Sequence, residues 1–504
     1  MGTVPWTVYA PTRRNEHWTL PDGLDWKTVR QKVQRLQMRI AKAAKEGKYR
    51  KMRSLQWILA HSFYAKLSAV RRVTSNKGKN TPGIDGVVWK TSCQKMKAVK
   101  SLRRRGYRAV PLRRVYIPKK SGKLRPLGIP TMRDRAMQAL YALTLAPIAE
   151  TLGDPYSYGF RRGRSCADAL RHCFDRFCHR NDSQWVLEAD IASCFDEISH
   201  QWILANISVD KKLLKQWLSA GFLDKGELFP TLKGTPQGGI ISPIIMNMTL
   251  DGLESCAKKS VPWYIKGTTT RTGVTVIRYA DDFIVSAKSC ELLEQRVLPA
   301  LRDFLAQRGL ALSEEKTTIS HLTQGFDFLG QNVRKHKNGN VYTKPTRKAL
   351  QGLQAAARQI LKAQCVEDNW SMIRRLNQLI RGWCNYHRHA CSYRIFKKFD
   401  SWLFWEIKRW LHRRHPNKGR RWLRGKYYRS YRNSRWSFFA AKKYADGRKE
   451  YRDLIKAQWT PIVRHVKVKA EASPFDPLWI EYFKYRKISK RHSNQDGRFV
   501  EESG

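Results

Sequence analysis

Tyr279-Ala280-Asp281-Asp282 stands between two short runs rich in β-forming residues, Val274 to Ile277 and Phe283 to Val285. Two such runs joined so closely read as a hairpin with an adjacent pair of carboxylates at its tip. Neighbouring aspartates repel by about 1 kcal/mol even in water, and by more where water is excluded. A tip that holds them together calls for a divalent cation and for a third carboxylate elsewhere in the chain.

That third group lies upstream. Trp185 to Ile191 reads as a half-buried strand carrying Asp190 near its end, followed by Ala192-Ser193-Cys194-Phe195-Asp196. A strand with one aspartate beside a hairpin with two is the carboxylate arrangement of a polymerase palm. Such a site places two Mg²⁺ ions roughly 3.5 to 4 Å apart, activating a primer 3′-hydroxyl and stabilising the in-line displacement of pyrophosphate. Only oxygen ligands are needed, and aspartate is the shortest rigid one.

Both pieces resemble reverse transcriptases, in which Tyr-Ala-Asp-Asp is the form typical of retroelement and group II intron enzymes. Arg114-Val115-Tyr116-Ile117-Pro118-Lys119, Gly122 to Pro130 and Arg133-Asp134-Arg135 resemble the fingers motifs. Gly234-Thr235-Pro236-Gln237-Gly238-Gly239, running on to Ser242-Pro243, is similar to the loop and helix under the nascent base pair. Leu312 to Thr317 and Gly325 to Gly330 resemble the last two palm motifs, and Thr81-Pro82-Gly83-Ile84-Asp85-Gly86 the N-terminal extension of non-retroviral enzymes. Leu376 to His389, containing Arg381-Gly382-Trp383-Cys384-Asn385-Tyr386-His387-Arg388, resembles the maturase (X) domain of group II intron-encoded proteins.

The resemblance implies an α+β chain: right-hand fingers and palm, an α-helical thumb (maturase X) domain and a small basic C-terminal DNA-binding region. The expected divisions are 1–90 for the extension and start of the fingers, 91–344 for fingers and palm, 345–445 for the thumb, and 446–504 for the basic region. Asp190 and Asp281 would bridge both metals, with Asp282 as a supporting ligand. Lys119 and Arg125 would converge on the dNTP triphosphate, Arg as a fork and Lys as a point charge. Phe195 occupies the position of the steric gate that disfavours a 2′-hydroxyl, Gln237 would contact the incoming nucleotide, and Lys316 resembles the palm lysine that protonates pyrophosphate. Arg381, Tyr386, His387 and Arg388 would belong to a helical RNA-binding face. Taken alone, the basic residues would be ordinary surface charges and Phe195 a core ring; the motif company favours the functional reading.

Composition agrees. Lys and Arg number 97 against 41 acidic residues, a net charge of +56 that a polyanion would neutralise, with steeply salt-dependent binding. An apolar fraction of 42% in 504 residues supports several folded domains. No run of about 18 apolar residues predicts a membrane span, and the N-terminus has no signal-peptide pattern, so a cytoplasmic protein is expected. From Tyr393 to Lys449 aromatic and basic residues interleave, as in Arg420 to Arg429, which suits looped or single-stranded RNA. Cys384, His387, His389 and Cys391 have an outline of a zinc site, but the run continues a helical pattern and zinc is not expected. Many relatives carry a C-terminal HNH nuclease; His492-Ser493-Asn494 is the only fragment of that kind and no endonuclease is expected here.

The reading is therefore an RNA-directed DNA polymerase that binds its group II intron RNA, assists splicing and copies the intron into DNA. Its rivals are a domesticated or defence-associated reverse transcriptase without an intron, a non-catalytic RNA-binding maturase, and an RNA-templated RNA polymerase.

Overall fold

The computed structural model describes residues 18, 20, 24–118, 122, 124–178, 183–264, 271–363 and 368–495. By packing it divides into two units, one of residues 1–169, 182–320 and 468–487, the other of 170–181, 321–467 and 488–504.

The first unit begins with helix α1 (Trp26–Lys45), capped by the Asp25 carboxylate, which accepts from Thr28 N at 2.7 Å. Val29, Val33 and Ile40 form its buried stripe, as the periodicity requires. Helical periodicity runs unbroken from about Lys51 to Val73, yet the segment forms two helices, α2 (Tyr49–His61) and α3 (Phe63–Thr74), because Ser62 takes an extended backbone (ψ 129°) between them. The fingers hairpin is β1 (Leu112–Pro118) and β2 (Leu124–Ile129), paired antiparallel. It leads into α4 (Met132–Leu152), capped by Thr131. At the start of α4 the Arg135 guanidinium donates to the carbonyls of Gly78 (3.1 Å) and Thr81. These bonds tie the glycine-rich loop of the extension to the helix.

The palm is a four-stranded sheet, ordered β6-β7-β3-β8. It contains β3 (Trp185–Asp190), β6 (Thr275–Tyr279), β7 (Asp282–Ala287) and β8 (Thr318–His321), while β4 (Phe222–Asp224) and β5 (Glu227–Phe229) extend the fingers sheet. Val186, Leu187, Phe283 and Val285 are fully buried, so the middle of both central strands is covered on both faces. Helix α5 (Ser242–Leu250) contributes Ile245, Met246 and Leu250 to the same core. Leu293, Val297, Leu301 and Leu305 mark a helix between Glu291 and Gly309, and it forms over residues 290–306 with a π turn at Leu293–Val297, directly before α6 (Leu298–Ala306) and its Pro299. The wider turn accommodates a residue that has no N–H to give.

The second unit holds a three-stranded sheet, β9 (Phe326–Phe328), β10 (Gln331–Lys335) and β11 (Val341–Pro345), and then α7 (Arg347–Ala363), α8 (Asn369–His387) and α9 (Tyr393–Arg414). These helices bury Leu353, Ile373, Leu376, Ile380, Phe396, Phe399 and Leu403 in a core of their own. Helical periodicity dominates the sequence after about Lys344, yet α10 (Arg420–Tyr427) is followed by a second sheet, β12 (Tyr428–Tyr431), β13 (Ser434–Lys443) and β14 (Lys449–Asp453). Its aromatic residues are also strand formers, so their interleaving with basic residues is partly structural.

A palm carboxylate site and a basic helix face

The β6–β7 hairpin pairs Tyr279 with Asp282, leaving Ala280 and Asp281 as a two-residue turn. Ala280 takes φ +63°, a conformation that such turns usually give to glycine, and holding it costs about 1 to 2 kcal/mol. On the other side of β7, Asp282 pairs in register with Asp190. The strand, the turn and the hairpin thus bring Asp190, Asp281 and Asp282 to one end of the sheet.

Their electrostatics follow from crowding. Burial raises the Asp281 carboxyl above its usual range, and Asp190 adds to the effect. Asp282 is pushed up to about 8, by burial first and then by Asp190 and Asp281. Lys316 answers part of this charge. A backbone bond from Ser313 N to Asp190 O (2.8 Å) and a bridge between Ile191 and Leu312 bring residues 311–316 to the end of β3. There Lys316 Nζ pairs with Asp190 Oδ2, which raises the lysine's own pKa.

The loop before α5 lies on the segment after Asp190. Gly234 N donates to Ile198 O (2.7 Å) and Thr235 N to Phe195 O (2.6 Å). A Cβ on Gly234, whose φ is +83°, would stand 2.4 Å from Asp196 O. Glycine meets both demands. Gln237 then bridges fingers and palm: its Nε2 donates to Asp196 Oδ2 (2.6 Å) and its Oε1 accepts from Arg125 Nε (2.8 Å). Phe195 is half-buried, with its ring edge-on to Phe160 at 6.4 Å. Lys119 lies outside the described residues.

Two side chains to which the motifs assign no role enter this cluster. Asp196 is raised by burial and held down by Gln237, Arg114 and Arg125. Arg114 stacks over the Phe222 ring at 3.6 Å. Their signal was position, next to or within the motifs that carry the resemblance.

In the second unit, α8 buries Ile373, Leu376, Ile380, Cys384 and His387 in one stripe. Arg374, Gln378, Arg381, Asn385 and Tyr386 lie exposed on the other side. Tyr386 Oη donates to Leu329 O at 2.8 Å. His387, 3% exposed, packs against Trp383 and Tyr386, and burial pushes its pKa down to about 4. Arg388 is 5% exposed. The expectation of four residues on one outward face is corrected: Arg381 and Tyr386 are outward, His387 and Arg388 are not. His387 follows Ile380 and Cys384 at helical spacing, so it continues the apolar stripe.

A family model of the reverse transcriptases (RNA-dependent DNA polymerases) matches residues 117–333 of this chain, one of the N-terminal domain of reverse transcriptase matches 22–102, and one of the group II intron maturase-specific domain matches 351–428. Protein YkfC of Escherichia coli (strain K12) is 33% identical over 332 residues, covering 59% of this chain and 86% of that protein. The group II intron-encoded protein LtrA of Lactococcus lactis subsp. cremoris is 29% identical over 420 residues, 66% of this chain and 70% of its own. This chain belongs to the group II intron-encoded reverse transcriptases. An uncharacterised 91 kDa protein in the cob intron of Schizosaccharomyces pombe is 30% identical over 328 residues, 54% of this chain and 40% of that one.

As a member of that family the chain is an RNA-directed DNA polymerase with a maturase domain that binds RNA, and its chemistry depends on a divalent metal. The palm residues fit such an ion in kind: all three are carboxylates, crowded and partly desolvated, which is the donor set of a hard cation. Among the described residues no three His, Cys, Asp or Glu side chains are gathered tightly enough to hold an ion as they stand. Lys316 takes up Asp190 in that arrangement. Among the described residues no helix is long and apolar enough to cross a membrane.

Proposed function

We propose that this reverse transcriptase binds its own intron RNA, supports that RNA's active fold during splicing, and copies the intron into DNA after insertion at a target site. Splicing chemistry belongs to the RNA. The protein acts as a scaffold there and as a polymerase afterwards, in the bacterial cytoplasm at the nucleoid. The four divisions at 1–90, 91–344, 345–445 and 446–504 share this work as extension, polymerase, thumb and DNA-binding region.

Asp190 and Asp281 would hold two Mg²⁺ ions, with Asp282 in support. When bound, the ions supply acidity to the primer 3′-hydroxyl and positive charge to the departing pyrophosphate. Lys119 and Arg125 hold the dNTP triphosphate, and Gln237 fixes the Arg125 guanidinium against the palm. Phe195 lies under the sugar and leaves no room for a 2′-hydroxyl. Lys316 neutralises Asp190 in the resting enzyme and gives its proton to the leaving pyrophosphate oxygen. Arg381 and Tyr386 contact intron RNA from the outward side of α8.

The observation that carries this reading is the register of Asp190 against Asp282, with Asp281 in the adjoining turn. Primer extension on an RNA template with dNTPs and Mg²⁺, wild type beside Asp281→Asn, tests it. DNA product from wild type alone is expected. No product from either protein, despite tight RNA binding, would favour a maturase without polymerase activity.

A further inference from the structure

The segment Asp154-Pro155-Tyr156-Ser157-Tyr158-Gly159-Phe160 contributes no side chain to the carboxylate site, yet it runs beside β6. Ser157 and Arg278 form a parallel bridge, in which Arg278 N donates to Tyr156 O (3.1 Å) and Tyr158 N to Arg278 O (2.8 Å). Gly159 then reaches the carboxylate-bearing turn itself. A Cβ on Gly159 would lie 2.3 Å from Ala280 N, 2.9 Å from Tyr279 C and 3.0 Å from Ala280 Cα. All three are backbone atoms, so no side-chain rotation relieves the contact. Either the segment or the turn would have to move.

The next residue is held just as firmly. Phe160 takes φ +56°, an uncommon conformation for a bulky residue, and its ring meets Phe195 edge-on. Behind the segment, Asn247 on α5 donates from Nδ2 to Gly159 O (2.8 Å) and accepts from Arg278 at Oδ1 (3.3 Å). Arg278, 1% exposed, also pairs with Asp251 (2.6 Å), which accepts from Asp154 N at 3.3 Å. Both ends of the segment are therefore anchored to the strand that carries the turn. A two-residue turn with a non-glycine residue at positive φ needs such support from its surroundings.

We propose that Tyr156–Phe160 is the positioning element of the Ala280-Asp281 turn, with Gly159 as its point of contact and Asn247 as the residue that latches it. Gly159 touches no substrate; it acts by fixing where the Asp281 carboxylate stands. The proposal rests on the reading of Asp281 as a metal ligand.

The test uses the full chain with Mn²⁺ as the probe. Ion binding without nucleic acid is followed by the loss of the free Mn²⁺ electron-spin signal, beside primer extension and thermal melting. For Gly159→Ala, a 1 Å misplacement is enough to lower kcat on the order of 10²-fold. The half-saturating Mn²⁺ concentration should rise several-fold, with KM for primer–template unchanged. Asn247→Ala, which leaves the contact itself in place, should move kcat and Mn²⁺ binding in the same direction by less. It also serves if Gly159→Ala does not fold. Folded variants with wild-type Mn²⁺ binding and kcat would overturn the proposal, as would a lowered kcat with unchanged ion binding. Asp281→Asn separates the two readings. If it retains Mn²⁺ binding and activity, the metal-ligand assignment fails; if it loses both while Gly159→Ala and Asn247→Ala lose neither, the positioning role fails alone.

Discussion

The tip of the β6–β7 hairpin and the last turn of α8 both carry motif residues adjacent in sequence, and the two places treat adjacency in opposite ways. At the hairpin, a two-residue turn and the pairing of β7 with β3 bring Asp281 and Asp282 together with Asp190. On the helix, each residue turns about 100° from the last, so Tyr386 points outward while His387 falls on the buried stripe. A motif names residues; the period of the element decides which of them share a surface.

The largest effect should come at the hairpin. Asp281→Asn keeps the shape of the turn and removes one charge, and it should reduce primer extension at least about 10³-fold, several kcal/mol of barrier. Near-normal extension would mean that the three carboxylates share one end of the sheet for some reason other than catalysis.

At the helix end the main effect should be on stability. An unfolded histidine takes up a proton near pH 6.5. His387, buried, does so only at about 4. Between those values the unfolded state binds more protons, so stability rises with pH from about 4 to 6.5 and is flat above, a contribution of about 3 kcal/mol. His387→Leu should remove that part of the pH dependence, measured by urea unfolding across the range. An unchanged slope, with weakened RNA binding, would place His387 on the RNA-binding surface after all.

Much of this was legible in the sequence, for reasons that differ by region. Short runs of apolar and β-branched residues mark β3, β6 and β7, and with them the three carboxylates, because strand propensity acts on local sequence. Asp25 and Gly47 mark the two ends of α1 in the sequence, because capping is local too. The break at Ser62 carried no proline or glycine to announce it. The sheet β12–β14 was hidden by the density of its arginines and lysines. Asp196 and Gly159 answer to neighbours far away in the chain, Gln237 and Ala280, so nothing near them in sequence marks their part.

Phe195 lies between these extremes, a ring named by motif whose surroundings are long-range. If it gates the sugar, Phe195→Ala should lower the preference for dNTPs over rNTPs by about 10- to 100-fold, the scale on which removing a steric contact alters specificity. Single-turnover incorporation of matched dNTP and rNTP measures it. Unchanged discrimination would leave Phe195 as a core residue packed on Phe160.

The smallest effect should come from the outward side of α8, and it completes the contrast with His387. Arg381 and Arg374 are exposed and two helical turns apart, so both sit where an RNA backbone would meet them. Replacing an exposed arginine should change folding stability by no more than about 0.5 kcal/mol. Its loss should cost phosphate contact instead: Arg381→Ala should weaken RNA binding several-fold and reduce the slope of log affinity against log salt by about 1. Filter binding from low to moderate salt, with urea unfolding alongside, reads both. His387→Leu in the same assays should show the reverse pattern, altered stability with an unchanged salt slope. If the two variants behave alike, burial on α8 does not separate a structural residue from an RNA-contacting one, and the contrast between hairpin and helix falls.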